Sequence, residues 1–372
     1  MIRGSLRPVG RSSEYRSLCF IASVCAGALF RRNDGIMPNK IRFLRLALIG
    51  AGGMGRRWAW AITQVPALSC RVVVDTDINR AEEVSRKFSD CAVSSDWKKV
   101  LRRPDIDAVV IVTPNKWLAP ISRYALEHGK HVLCEKPGAR NAQEMESVIR
   151  AAKKAKRCYV VGFNYRFFQG PALAKKLFER GAIGRLMFIR AVHGFGGRKG
   201  YEKEWRFNKA ISGGGVLIDQ GVHLIDLIQW FLGDVKKVVG LAVRHFWPSA
   251  VEDNAYGILQ NKKGQVAMLH ISWTQWDPIF SFEVYGEKGY IKVEGLGRKY
   301  GGSEKVIIGL RNPQLKKLPK ERIIVCNPDA DQALVRELKE FSSVILHRRQ
   351  PQPGIQDAYE VLNIAEKVYR QK

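Results

Sequence analysis

Leu46-Ala47-Leu48-Ile49-Gly50-Ala51-Gly52-Gly53-Met54-Gly55 sets an apolar run against a glycine-rich turn that opens a stretch of helical periodicity. A G-x-G-x-x-G turn between a strand and a helix has a physical reading as a dinucleotide cradle. Gly50 makes the tight turn, Gly52 lets backbone approach a pyrophosphate, and Gly55 lets the helix pack closely on the sheet. The free N–H groups at the helix start, over Gly53 and Met54, then face the phosphates. Glycine turns also occur for packing alone, so the motif needs a second signal. Twenty residues beyond Gly55, Val72-Val73-Val74 ends in Asp75, where a carboxylate can accept hydrogen bonds from a ribose. A turn-forming aspartate is the plainer alternative. Asp75 and Asp77 would repel a phosphate on that ribose, which favours NAD, while Arg80 leaves NADP open.

Outward from this unit, short apolar runs at 46–49, 71–74, 108–112, 131–133 and 159–161 alternate with amphipathic stretches at 54–64, 79–88, 118–128 and 141–156. That alternation predicts parallel strands joined by right-handed helical crossovers, a doubly wound Rossmann sheet over residues 41–162. After Gly162 the runs at 186–192, 238–246, 255–259, 266–273, 282–285 and 290–293 read as strands, with reversals at Asn261-Lys262-Lys263-Gly264 and Gly286-Glu287-Lys288-Gly289. Residues 163–372 are therefore expected to form an α/β domain around a large, mainly antiparallel open sheet. One long apolar helix, 216–232, interrupts it, and the tail from 330 to 370 returns to helical periodicity.

At 372 residues the chain is long enough for two cores. Its formal charge of +27 attracts anions, but the basic runs are short, scattered and without interleaved aromatics, so solvated faces are expected and nucleic acid is not. Seven cysteines, without paired or metal-ligand spacing, predict reduced thiols in a cytoplasmic protein and no metal site. Residues 1–40 carry Arg3, Arg7, Arg11 and Arg16 before an apolar stretch, a layout that imitates an export signal. It is too short to span a bilayer comfortably, and a flexible extension before a natural start at Met37 is the preferred reading.

Two further stretches carry chemistry. Cys134-Glu135-Lys136-Pro137 puts a lysine before a proline at a strand end, extended at the carboxyl edge where open α/β sheets bind ligands. There an ammonium can hydrogen-bond a reacting oxygen. Gly213-Gly214-Gly215 leads into the apolar helix with Asp219 and His223 four apart, neighbours on one face, and Asp226 continuing the stripe. They are either a structural pair or a general acid/base whose imidazole is oriented by a carboxylate.

Taken together, the glycine loop, Asp75, Thr113-Pro114-Asn115, Glu135-Lys136-Pro137, Gly162-Phe163-Asn164-Tyr165-Arg166, Trp205-Arg206, the glycine triplet, Asp219 and His223 resemble the glucose-fructose oxidoreductase / inositol dehydrogenase / rhizopine catabolism (Gfo/Idh/MocA) family, from about Arg42 to the C-terminus. The resemblance implies a nicotinamide-dependent oxidoreductase in which Lys136 binds the reacting oxygen, His223 exchanges its proton and Asp219 assists. It implies that Thr113, Pro114, Asn115 and Glu135 lie beside the cofactor. Asn164, Tyr165, Arg166, Trp205 and Arg206 are expected to line the substrate mouth. Leu118 stands where family members often carry a histidine. The implied substrate is a sugar, cyclitol or nucleotide sugar, and the open sheet implies a homodimer or homotetramer. Trp247, Trp273 and Trp276 could face a sugar or fill the core. The alternatives are a catalytically silent dinucleotide sensor or scaffold and a reductase of a non-carbohydrate substrate.

Overall fold

A computed structural model describes residues 43–326 and 330–371; the arginine-rich residues 1–40 lie outside the described residues. The nucleotide-type half runs β1 (Leu44–Ile49), α1 (Gly53–Thr63), β2 (Leu68–Val74), α2 (Ile78–Ser85), β3 (Ala92–Ser94), α3 (Trp97–Leu101), β4 (Ala108–Ile111), α4 (Asn115–Glu127), β5 (His131–Glu135), α5 (Ala142–Ala155) and β6 (Tyr159–Gly162). Its strands are all parallel in the order 3-2-1-4-5-6. The order reverses between β1 and β4, which opens a crevice at their carboxyl ends. The strands are nearly continuous runs of Val, Leu and Ile because helices cover both faces. Packing brings the Cys70 and Cys91 sulfurs to 3.9 Å, a proximity their separation in sequence does not announce.

The second half starts with a 3₁₀ turn (Asn164–Phe167), α6 (Gln169–Glu179) and β7 (Leu186–Gly194). Two further 3₁₀ turns and the short α7 (Lys209–Ser212) lead to a π-helical turn (Leu217–Gly221) that continues into α8 (Val222–Leu232). Seven strands follow: β8 (Val235–Val243), β9 (Asn254–Asn261), β10 (Val266–Ser272), β11 (Ile279–Gly286), β12 (Gly289–Leu296), β13 (Tyr300–Leu310) and β14 (Lys320–Val325). The eight-stranded order is 14-13-12-11-7-10-9-8, and only the β7–β10 pair is parallel. Strands β3, β13 and β14 were not expected from sequence. β3 is three residues long, and β13 begins with exposed glycines. The stretch Lys209–Leu232 is long and apolar enough to cross a membrane by composition, but 83% of its apolar window is buried, as in a core helix. Trp273 is likewise fully buried, so it packs the core and presents no face to a sugar.

The two C-terminal helices, α9 (Ala330–Leu346) and α10 (Ile355–Tyr369), serve different partners. Leu334, Val335, Leu338 and Phe341 of α9 join the core built on Leu46, Leu48, Trp58 and Ile62 of the parallel half. Val361, Ile364 and Val368 of α10 belong to the larger core that spans both sheets. The expectation that Arg166 lines the substrate mouth is corrected. Arg166 holds Asp226 through two buried hydrogen bonds of 2.9 and 2.6 Å and reaches the half-buried Asp357 at 2.6 Å. Such a pair ties three elements together, and removing one partner would strand a buried charge.

One buried acid in α9 has no such partner. Glu337 is fully buried, neither carboxylate oxygen has a hydrogen-bond partner among the described residues, and burial, with Glu135 and Asp226 nearby, raises its pKa well above the ordinary 4.5. It is therefore protonated in the folded chain while the unfolded chain ionises. Stability is unaffected below the unfolded value and falls as pH rises above it, by about 1.4 kcal/mol per unit until the folded group titrates. Glu337→Met should thus stabilise the protein increasingly from pH 5 to pH 8. Denaturant melts across that range check this, and a gain independent of pH would show that the carboxyl is not protonated.

Candidate active site

The glycine turn satisfies the stereochemical demands of a phosphate cradle. Gly50 has φ of 106°, and a Cβ on it would sit 2.3 Å from the Val112 carbonyl oxygen. A Cβ on Gly55 would lie 2.1 Å from the Gly50 oxygen, so only glycine permits helix and turn to approach. Gly52 and Gly53 instead face open space, and the first turn of α1 has neither a side-chain cap nor an acidic residue. Its free N–H groups and positive dipole end are left for an anion. A dinucleotide fits this surface.

Asp75 stands beside it at the end of β2. One carboxylate oxygen accepts the Ala51 N–H at 2.7 Å and the other accepts the Asp77 N–H at 3.0 Å. Asp77 caps α2 and pairs with Arg80 at 3.0 Å. The one cation expected to leave room for NADP is thus engaged by an acid. Thr113 Oγ1 is buried without a partner among the described residues, a donor left over at the crevice. Asn115 is spent differently from expectation, for its side-chain amide donates to the Ser212 carbonyl at 2.8 Å and ties α4 to the segment before the glycine triplet. Glu135 accepts the Trp58 indole N–H at 2.7 Å, and burial raises its pKa.

Lys136 leaves β5 and meets Asp219 from the second half. Its ammonium donates to the Asp219 carboxylate at 2.9 Å and also to the Asp219 backbone oxygen. Arg206 reaches the same carboxylate at 3.4 Å and is itself held by Glu204 at 2.8 Å. Burial alone would raise Asp219, but Lys136 and Arg206 outweigh it and hold the carboxyl down to about 2. Arg206 also lies over the Trp205 ring, 4.7 Å from its centroid.

The glycine triplet explains how Asp219 arrives there. Gly213 has φ of 86°, and a Cβ on Gly215 would lie 1.9 Å from the Glu252 carbonyl oxygen. The Glu252 carboxylate, buried, accepts the N–H groups of Gly215 and Leu217 at 3.0 Å and the Tyr369 hydroxyl at 2.7 Å. Glu252 was not singled out from sequence; an acid in a strand-flanking loop carries no local signal.

His223 departs from expectation. It stands second in α8, directly after the π turn that carries Asp219. Its Nδ1 has no hydrogen-bond partner among the described residues, so no carboxylate orients the ring. Burial lowers its pKa well below 6.5, with Lys136 and His193 adding to the effect and Asp219 opposing it, so the imidazole is neutral. Tyr165 is buried against that ring, and the Asn164 side-chain oxygen is buried without a partner.

Residues 44–163 match the oxidoreductase family with an NAD-binding Rossmann fold, and residues 172–292 match the GFO/IDH/MocA C-terminal domain. Levoglucosan dehydrogenase of Pseudarthrobacter phenanthrenivorans is 37% identical over 205 residues, covering 52% of this chain and 53% of that protein. Inositol 2-dehydrogenase 4 of Saccharopolyspora erythraea is 33% identical over 207 residues, or 55% and 58% of the two chains. The matched part thus spans little more than half the length of these curated relatives. A solved levoglucosan dehydrogenase in complex with NADH superposes with a TM-score of 0.80 at 26% identity, over 88% of this chain and 96% of that one. Both halves and their shared fold place this chain in the GFO/IDH/MocA oxidoreductase family, with an NAD-binding Rossmann domain.

Proposed function

We propose that the chain is an NAD-dependent dehydrogenase that moves a hydride between nicotinamide and one CH–OH carbon of a sugar, cyclitol or nucleotide sugar. The observation that carries this reading is the half-buried Lys136–Asp219 pair beside a neutral His223, at the carboxyl edge of the sheet that carries the open glycine cradle. Relatives named for levoglucosan and inositol support a polyhydroxylated substrate.

Bound NAD supplies the hydride acceptor or donor. Lys136 has three donors, and Asp219 takes two of them, leaving one N–H for a substrate oxygen. That donor stabilises negative charge as the oxygen loses its proton. Asp219, ionised throughout the neutral range, keeps the ammonium charged and aimed. His223, neutral at rest, accepts the hydroxyl proton and returns it in the opposite direction. Arg206 and Trp205, half-buried at the cleft, are the proposed substrate contacts, together with Asn164.

The proposal extends to a homodimer or homotetramer formed through the open sheet. Val239, Ile258 and Met268 form one exposed cross-strand row, and Leu241 and Tyr256 a second beside it. Contiguous apolar surface of this kind favours a second copy of the chain. The odd cysteine count supports a cytoplasmic location.

Reduction of NAD is to be followed by absorbance against cyclitols, free sugars and nucleotide sugars. Turnover with one class is expected, and tight cofactor binding with turnover on none would favour a silent sensor. Lys136→Ala and His223→Ala should lower kcat on the order of 10²- to 10⁴-fold with NAD affinity little changed. Asp75→Ala should do the reverse, raising the Kd for NAD with a smaller effect on kcat at saturation. Normal turnover in both Lys136 and His223 variants would sink the mechanism. For the assembly, Ile258→Lys should yield a smaller species in sedimentation, and an unchanged coefficient would remove the sheet face from consideration.

A further inference from the structure

We infer that Tyr165 is the positioning residue of His223, fixing the plane of its imidazole by ring stacking, and that His193 fixes Tyr165 in turn. The inference rests on the proton-transfer role proposed for His223. With Asp219 occupied by Lys136 and Arg206, and with Nδ1 unpartnered, hydrogen bonding to the protein does not determine how the imidazole lies. Stacking does. The Tyr165 and His223 rings are parallel within 4°, with centroids 4.0 Å apart, and Phe163 meets the imidazole edge-on at 6.2 Å.

Tyr165 is itself over-determined. Its ring is packed edge-on by Phe168 at 5.7 Å and Phe280 at 5.9 Å, and its hydroxyl lies 3.0 Å from His193 Nε2. The other His193 nitrogen, Nδ1, lies 3.2 Å from the Ile279 carbonyl oxygen. A carbonyl only accepts, so Nδ1 carries the proton and Nε2 accepts from the Tyr165 hydroxyl. Burial lowers His193 to about 4, so it stays neutral, and Tyr300 closes over it at 4.5 Å, perpendicular. Strand β7 thus braces the 3₁₀ turn that carries Tyr165, and that turn braces α8.

The chemical consequence differs from that of a carboxylate orienter. A carboxylate fixes an imidazole and also stabilises its protonated form, raising its basicity. A neutral phenol ring restrains tilt without adding charge, so the proton taken up by His223 is held weakly and can be released in either reaction direction. The charged or titratable groups acting on His223 are Lys136 from β5, Asp219 from the π turn and His193 from β7. Burial keeps the Tyr165 phenol un-ionised.

Three variants of the full chain, Tyr165→Leu, Tyr165→Phe and His193→Phe, are to be compared in kcat, KM and pH profile. Tyr165→Leu should lose on the order of 10²-fold in kcat, the scale of a misplaced catalytic group, with KM for NAD within a few-fold. Its acid limb should move up towards 6.5 as water reaches the ring. Tyr165→Phe keeps the stack and should recover most of that loss. His193→Phe should behave like Tyr165→Phe, and the double variant should lose no more than either alone, because both break one hydrogen bond. A ring-proton resonance of His223 reports the stack without turnover: it should shift downfield in Tyr165→Leu and little in Tyr165→Phe. Wild-type kcat and pH profile in a folded Tyr165→Leu would overturn the inference, as would a Tyr165→Phe loss equal to that of Tyr165→Leu. Should Tyr165→Leu not fold, a non-additive His193→Phe and Tyr165→Phe pair supports the brace and an additive one removes it. Normal turnover in His223→Ala would instead defeat the catalytic reading, whatever the resonance does.

Discussion

An ion pair between an ammonium of one half and a carboxylate of the other crosses this molecule's cleft. Lys136 ends a strand of the parallel sheet, Asp219 sits in a helical turn of the other half, and both are largely withdrawn from water. Withdrawing either charge from water is costly unless it is paired, so the contact favours one way of bringing the halves together, with Arg206 adding to it on the Asp219 side. Much of the surrounding irregularity serves that meeting. The glycine triplet passes close to Arg140, Tyr369 and Glu252, and the Glu252 carboxylate takes up the N–H groups of the helix start. The π turn then offers Asp219 to Lys136 while α8 continues inward as an almost wholly apolar core helix.

What could be read from the chain alone was whatever is encoded locally. Gly55 is required by its contact with Gly50, five residues away, and the alternation of Val-rich runs with amphipathic stretches declares a parallel sheet without tertiary knowledge, whereas the Val112 carbonyl that confines Gly50 lies far along the chain. The antiparallel half was legible where reversals are tight, as at Gly286-Glu287-Lys288-Gly289, and illegible at β13 and β14, joined by a loop rich in lysine and proline. Among the candidate site residues, type and spacing left Lys136, Asp219 and His223 open between structural and catalytic readings, and the family resemblance singled them out. The fates of Arg166 and Glu135 were not legible, since their partners Asp226, Asp357 and Trp58 lie 60, 191 and 77 residues away. The contact of the Tyr165 hydroxyl with His193, on a separate strand, and the π-helical turn at Leu217–Gly221 carry no local signal either.

Charge is distributed unevenly in depth. Glu135, Asp226, Glu252, Glu304 and Glu337 are buried, whereas among the described residues the buried lysines and arginines are Lys130 and Arg166 alone. The surface is therefore more positive than a formal count of +27 conveys at first sight, because several of the compensating acids are sealed inside or carry a proton. For a doubly charged anionic dinucleotide such a surface acts at long range, drawing the ligand towards a crevice whose own helix start is free of acids.

The position of α9 has a consequence for biosynthesis. The helix following the glycine turn buries Trp58 and Ile62 in a core completed by Leu334, Leu338 and Phe341, nearly three hundred residues downstream. While the chain is being made, one flank of its first-synthesised half has no cover. The parallel sheet waits, with an aromatic and several aliphatic side chains uncovered, until the residues of α9 have been made. Growth from the N-terminus normally lets an early domain finish folding by itself. Here two segments far apart in the chain complete one core, so a nascent product that stops short of α9 would expose an adhesive flank.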